Sequence, residues 1–158
     1  MLELAISSSG CQLCNHAVLY CCVLIRHSRI SNIPVNAILE DSKNNNILIV
    51  EAEKRFFHAT HSDAGTWIMN KWNFPGNLIE ILEFHHKPSL SKKYSLETAI
   101  VHVADVLVRA KGFGFPGDNL VPPVDVSAWN MLSLTENNIR EIFTELDDFT
   151  EGMDDIFV

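Results

Sequence analysis

The sequence predicts an all-α domain, on three observations. From Ala37 onward the chain is a succession of segments with helical spacing, each delimited by Asn, Gly or Pro. One of them, carrying Leu96, Ala99, Ile100, Val103, Ala104, Leu107 and Val108, fits the i, i+3, i+4, i+7 pattern throughout. The composition is also that of one globular core: 158 residues, 47% hydrophobic and 20% charged, with 7 Gly and 6 Pro, which excludes wholesale disorder and collagen-like structure.

Residues 1–35 form an atypical N-terminal segment without a clear helical period. Its run Val18–Ile25 is continuous, β-branched and aromatic, which fits a buried strand or part of a buried helix, and spacing alone leaves both open. Residues 36–150 form the helical domain, and 151–158 an acidic tail. Asn44–Asn46 is a break, followed by an amphipathic segment from about Ile47 to Phe57. Thr60 is placed to cap the next helix, with Asp63 three residues on in a capping-box position. That helix ends near Trp72, because Asn73-Phe74-Pro75 breaks it and Pro75 opens the following one.

Gly76–His86 is closed by Lys87-Pro88, and Ser95 or Leu96 begins the most regular helix, stopped by Gly112 and Gly114. A Pro-containing loop, Phe115–Asp125, leads to a last helix from about Glu136 to Leu146 with Thr135 as its cap, and the chain frays after Phe149. No internal repeat is present. Trp67, Trp72, Phe74, Phe84 and the Leu96–Val108 stripe are the expected core or a partner-facing groove, with Trp72 and Phe74 placed in the core because aromatics at helical spacing usually are.

The formal charge of −8 is unevenly spread. Residues 1–40 are neutral, leaving 10 bases against 18 acids beyond them, and from Glu141 to the end there are seven acids and no base. A phosphate backbone would be repelled, so nucleic acid is not the expected partner. The longest apolar run, Ala17–Ile25, is too short to span a bilayer and lacks a basic lead and a cleavage site, so no membrane partner is expected and the cytoplasm is the expected location. All four cysteines (Cys11, Cys14, Cys21, Cys22) fall within twelve residues, unlike a secreted disulfide scaffold. Cys11-Gln-Leu-Cys14 lacks the following His of a haem motif, and Cys21-Cys22 are adjacent rather than spaced for zinc. They read as reduced cysteines packing as small hydrophobes; a zinc or redox role would show as zinc lost on Cys11→Ser.

On ideal helices His61 shares a stripe with Gly65, Ile68 and Trp72, and both His85 and His86 flank the buried face set by Leu78 and Leu82. Asp105 lies in a narrow polar sector with His102 and Arg109, where an i, i+4 ion pair with Arg109 on a solvated edge is the plain reading. Three histidines and an aspartate on successive helices also make a candidate metal-ligand set, since imidazole and carboxylate suit Zn, Fe or Mn.

Several stretches resemble the HDOD domain, the non-catalytic signalling branch of the HD superfamily. They are Glu53-Lys-Arg-Phe-Phe-His-Ala-Thr-His61-Ser-Asp-Ala-Gly65-Thr-Trp-Ile, Lys71-Trp-Asn-Phe-Pro75, Ile79-Glu-Ile-Leu-Glu-Phe-His85-His86-Lys-Pro88 and Ile100-Val-His-Val-Ala-Asp105-Val-Leu. The resemblance runs from about Ala37 to Leu146 and implies an HD-like helical bundle used in bacterial signal transduction. It implies that His61, His85, His86 and Asp105 match positions that bind metal in catalytic relatives, here as vestigial ligands. Those relatives carry a His-Asp doublet, absent from this chain, and the cyclic-di-GMP-cleaving branch follows its His pair with Glu and a Gly-Tyr-Pro signature, where this chain has Lys87-Pro88. The doublet aspartate supplies an anionic oxygen that holds the metal, and the metal lowers the pKa of the attacking water. Because residues 1–35 do not read like the family's early helices, the chain is expected to hold the later half of the bundle and to expose apolar faces through which it could dimerise.

Two functions follow as expectations. The first is a non-enzymatic regulatory or protein-interaction module with no catalytic residues and no cofactor, partnered by other signalling proteins or by itself. The second is a metal-dependent phosphohydrolase acting on a nucleotide or cyclic nucleotide, with Fe, Mn or Zn held by His61, His85, His86 and Asp105.

Overall fold

A computed structural model of the protein describes residues 35–112 and 117–154. The cysteine cluster, the apolar run Ala17–Ile25 and Gly114 lie outside the described residues. Within them the fold is all-helical, with seven α-helices and no strand: α1 Val35–Asn45, α2 Ile49–Phe57, α3 His61–Lys71, α4 Gly76–Phe84, α5 Ser95–Ala110, α6 Val126–Leu132 and α7 Glu136–Asp154, with a single 3₁₀ turn at Pro88–Leu90. The HD-like helical bundle expected from the sequence agrees with this.

The breaks sit where the sequence places them. Asn46 takes a left-handed conformation (φ +50°) that Asn tolerates, and it separates α1 from α2. α2 carries Glu51 in its first turn and Lys54 and Arg55 in its last, the order that complements the helix dipole. α3 opens with a full capping box: Thr60 Oγ1 accepts from the Asp63 N–H, and the Asp63 carboxylate accepts from the Thr60 N–H at 2.7 Å. The Thr60 hydroxyl also donates to Asp63, and these bonds hold its carboxyl below the usual range. Thr60→Ala is expected to cost about 1 kcal/mol of stability, readable as a lower urea midpoint.

Glu80 of α4 fastens the link into α5. Its carboxylate accepts from the Ser91 hydroxyl at 2.7 Å and from the N–H groups of Lys92 and Lys93 at 2.7 and 2.8 Å. The Ser91 hydroxyl, ahead of the backbone donors, lowers its pKa to about 2.

Two elements differ from expectation. A short helix, α6, follows the Pro-containing loop; Asp125 caps it by accepting from the N–H groups of Ser127 and Ala128. The last helix does not fray after Phe149 but runs to Asp154, into the stretch assigned to an acidic tail. Its start is as expected, with Thr135 and Asn138 in reciprocal capping bonds.

The apolar interior forms two clusters. One joins Ala99, Val103 and Leu107 of α5 to Ala128 of α6 and Ile142 and Leu146 of α7. The other joins Ile38 of α1 to Ile49 and Ala52 of α2. Ala99, Val103 and Leu107 of the α5 stripe are therefore core, with Val108 packed against them, whereas Ile100 and Ala104 are half-buried and Leu96 at the first turn is exposed. Trp72 and Phe74, expected in the core, are not there, at 62% and 41% exposure, and Trp67, expected in the core or a partner-facing groove, is 64% exposed. Trp72 and Phe74 lie in the turn between α3 and α4, beyond the reach of the helical spacing that placed them, with their rings 6.4 Å apart.

Candidate functional site: a buried histidine cluster between the two apolar clusters

Between the two apolar clusters the interior is polar. His58, left-handed at φ +56°, ends α2 and turns the chain so that α3 begins beside it. His61, the first residue of α3, thereby meets Glu53 of α2. The Glu53 carboxylate accepts from the His61 backbone N–H at 3.0 Å and lies 2.9 and 3.1 Å from His61 Nδ1. Both residues are buried, His61 at 4% and Glu53 at 5% exposure. This pairing places the ring proton on Nδ1, so Nε2 of the neutral ring presents its lone pair.

α4 ends at Phe84, and Lys87-Pro88 prevents its continuation. His85 and His86 thus sit at a helix end, turned toward α3. His85 Nδ1 donates to the Leu82 carbonyl at 2.7 Å, leaving Nε2 free; that atom is buried without a hydrogen-bond partner. His86 Nε2 lies 2.9 Å from His61 Nε2, and the two rings meet edge to face with centroids 4.9 Å apart. One nitrogen from each of His61, His85 and His86 falls within 4.8 Å of the others.

A fourth histidine is structural. His102 of α5 donates from Nδ1 to the His85 carbonyl at 2.7 Å and accepts at Nε2 from the Asp125 N–H at 2.9 Å. With both nitrogens engaged it ties the end of α4 to α5 and to the start of α6, and has no lone pair left for a ligand.

Asp105 does not join the cluster of three. Burial raises its pKa, against the lowering pull of Arg109 and His61, so it stands near the imidazoles without being one of their close partners. The Arg109 pair expected of it is absent. Arg109 instead forms a buried ion pair with Asp118 and donates to the Leu120 carbonyl at 2.6 Å. Asp118 in turn accepts from the Ile49 N–H at 2.7 Å, so a loop residue after α5 caps the start of α2. The polar sector of α5 faces inward between the clusters, which is why its charges pair with a distant loop and not along a solvated edge.

The residues fit a divalent cation to this extent. The Nε2 lone pairs of His61 and His85 and a third imidazole converge, His61 Nε2 meeting His86 and His85 Nε2 buried and unpartnered, and Glu53 sets the tautomer of His61 as outer carboxylates do for metal-bound histidines. The cation would be held by three neutral ligands, which suits Zn or Fe better than a hard oxygen-seeking ion. Among the described residues no carboxylate completes the set.

Without such an ion the cluster disfavours protonation. Burial, then the neighbouring His61, lowers the His85 pKa to about 4, and His86 is pushed down further by burial and by His85. The unfolded chain takes up these protons near the ordinary imidazole value and the folded chain does not. Stability is therefore complete above about pH 6.5 and is lost as pH falls toward 4, at up to about 1.4 kcal/mol per pH unit for each proton. Urea midpoints in chelator should fall across that window; a flat profile would show the rings to be accessible to water.

No helix among the described residues is long and apolar enough to cross a membrane. No curated protein and no solved structure matches the chain. One protein family does, over a span that begins inside the apolar run and ends at the proline behind α4 and the histidine pair, and so contains Glu53, His61, His85 and His86. Residues 24–88 match the family model of the HDOD domain.

Proposed function

We propose that the chain is a non-enzymatic regulatory or protein-interaction module of HDOD type, working in bacterial signal transduction through other signalling proteins or a second copy of itself. The observation that carries this reading is the burial of the histidine cluster. His61 and His85 are each 4% exposed and His86 is half-buried, so the ring nitrogens offer a phosphoryl group little open approach. The chain also contains no His-Asp dipeptide, and Asp105 stands apart from the three imidazoles. Three neutral imidazoles hold a divalent cation less firmly than a set that includes a carboxylate, and among the described residues no carboxylate joins them to position a bound water.

The convergence of three ring nitrogens favours one alternative, a metal-dependent phosphohydrolase acting on a nucleotide or cyclic nucleotide. Metal analysis of protein purified without chelator, with a phosphodiesterase assay in added Mn or Fe, separates the two. The regulatory reading expects no turnover with either metal. Stoichiometric metal, with turnover abolished by His85→Ala and by Asp105→Ala, would replace it with the enzymatic one.

A further inference from the structure

One peptide bond joins His85 to His86, and its carbonyl is held from outside their own helix. The last carbonyls of a helix have no helical donor, and α4 stops at Phe84. The Lys87 N–H donates to the Phe84 carbonyl at 2.7 Å, and Pro88 has no N–H to give. The His85 carbonyl accepts instead from His102 Nδ1–H, which reaches it from α5 at 2.7 Å. A carbonyl only accepts and the Asp125 N–H only donates, so these two contacts fix His102 as the neutral Nδ1–H tautomer.

The His102 ring is clamped on both sides. It is buried on α5 beside Val103, and its Nε2 accepts from the residue that opens α6. Asp125 is itself set by the N–H groups of Ser127 and Ala128, and Ala128 seats α6 in the apolar cluster of α5 and α7. Neither apolar cluster takes a residue from α3 or α4. The segments that bear His61, His85 and His86 are placed by polar bonds: Glu53 to His61, Glu80 to Ser91, and His102 to the His85 carbonyl. The last of these acts on the plane between the two adjacent histidines, and turning that rigid plane would swing both rings. His85 Nδ1 donates to the Leu82 carbonyl, so its ring follows its backbone.

We propose that His102 is a positioning residue for a divalent cation held by His61, His85 and His86. It does not touch the ion, and it raises the affinity by holding the His85–His86 peptide against α5 and α6.

On the reading that the cluster retains metal affinity, two variants of the full chain separate the halves of the bridge. His102→Asn keeps a donor where Nδ1 stands and loses the acceptor, whereas His102→Gln keeps an acceptor where Nε2 stands and loses the donor. Each removes one imidazole and one buried hydrogen bond, so a merely structural residue would give both variants the same zinc affinity. Calorimetric titration with zinc, beside urea denaturation, should find His102→Asn within about threefold of the parent and His102→Gln about 10-fold or more weaker. Equal affinities in the two variants would overturn the proposal alone. A parent that binds no zinc would overturn it together with the metal-affinity reading.

A measurement on the parent needs no folded variant. In nitrogen NMR of the imidazoles, zinc should shift His61, His85 and His86 and leave His102 with its Nδ1–H. Loss of the His102 Nδ1–H signal on zinc loading would mark the ring as a ligand, or as released from the His85 carbonyl. Either result would sink the idea.

Discussion

Replacing Asp118 by Ala should lower the stability of the fold by about 3–5 kcal/mol, the usual loss when one partner of a buried ion pair is removed. The side chain is 2% exposed, and its Arg109 partner 6%, so water cannot replace the lost contact. The carboxylate also accepts from the Ile49 and Leu120 N–H groups, at 2.7 and 2.9 Å. Its removal thus leaves a cation and two backbone donors uncompensated in the interior. The approach depends on Gly117, whose φ of +106° is one that L side chains rarely adopt and where a side chain would crowd Ile49 Cγ1 at 3.0 Å. Urea denaturation of the variant measures the effect directly. A loss below about 1 kcal/mol would class the pair with surface ion pairs, and the joint between α2 and the loop after α5 would have to be reconsidered.

Replacing Glu53 by Ala should cost about 3 kcal/mol, because the His61 backbone N–H and Nδ1–H both lose their acceptor in a site closed to water. On the reading that the histidine cluster retains metal affinity, zinc uptake by the same variant falls about 10–100-fold, since an unheld imidazole loses its tautomer and orientation. Glu53→Gln retains an acceptor and should lose less on both counts. Calorimetric titration with zinc, beside urea denaturation, reads the two effects separately. A zinc affinity unchanged by Glu53→Ala would show that the cation, if held, does not use His61.

Much of the local structure is legible because its causes are local. The Thr60–Asp63 box, the break at Asn73-Phe74-Pro75, the start of α5 at Ser95 and the capping by Thr135 each depend on residues within four positions of one another. α6 was missed although Asp125 is a cap signal, because only seven residues follow and no apolar repeat can show itself over that length. The inward aim of His61, His85 and His86 follows from helical periodicity.

Their partners do not follow from it. Glu53 lies eight residues before His61, across the turn at His58, and no spacing rule pairs them. Asp118 is 69 residues from Ile49, and it takes Arg109 from the neighbour that an i, i+4 rule would assign. His102 shares a polar sector with Asp105, and only its contacts with the His85 carbonyl and the Asp125 N–H mark it as a tie between helices.

The amino-acid order by itself determined that this protein is helical, where its described helices mostly begin and end, and that three of its histidines face inward. Only the tertiary structure decided that those histidines converge, that Glu53 and Asp118 hold the polar interior, and that Trp67 and Trp72 stand outside both apolar clusters. The reason is physical: helix boundaries and facing depend on a few neighbouring residues, whereas the pairing of buried charges and the covering of a face depend on which distant segments exclude water together.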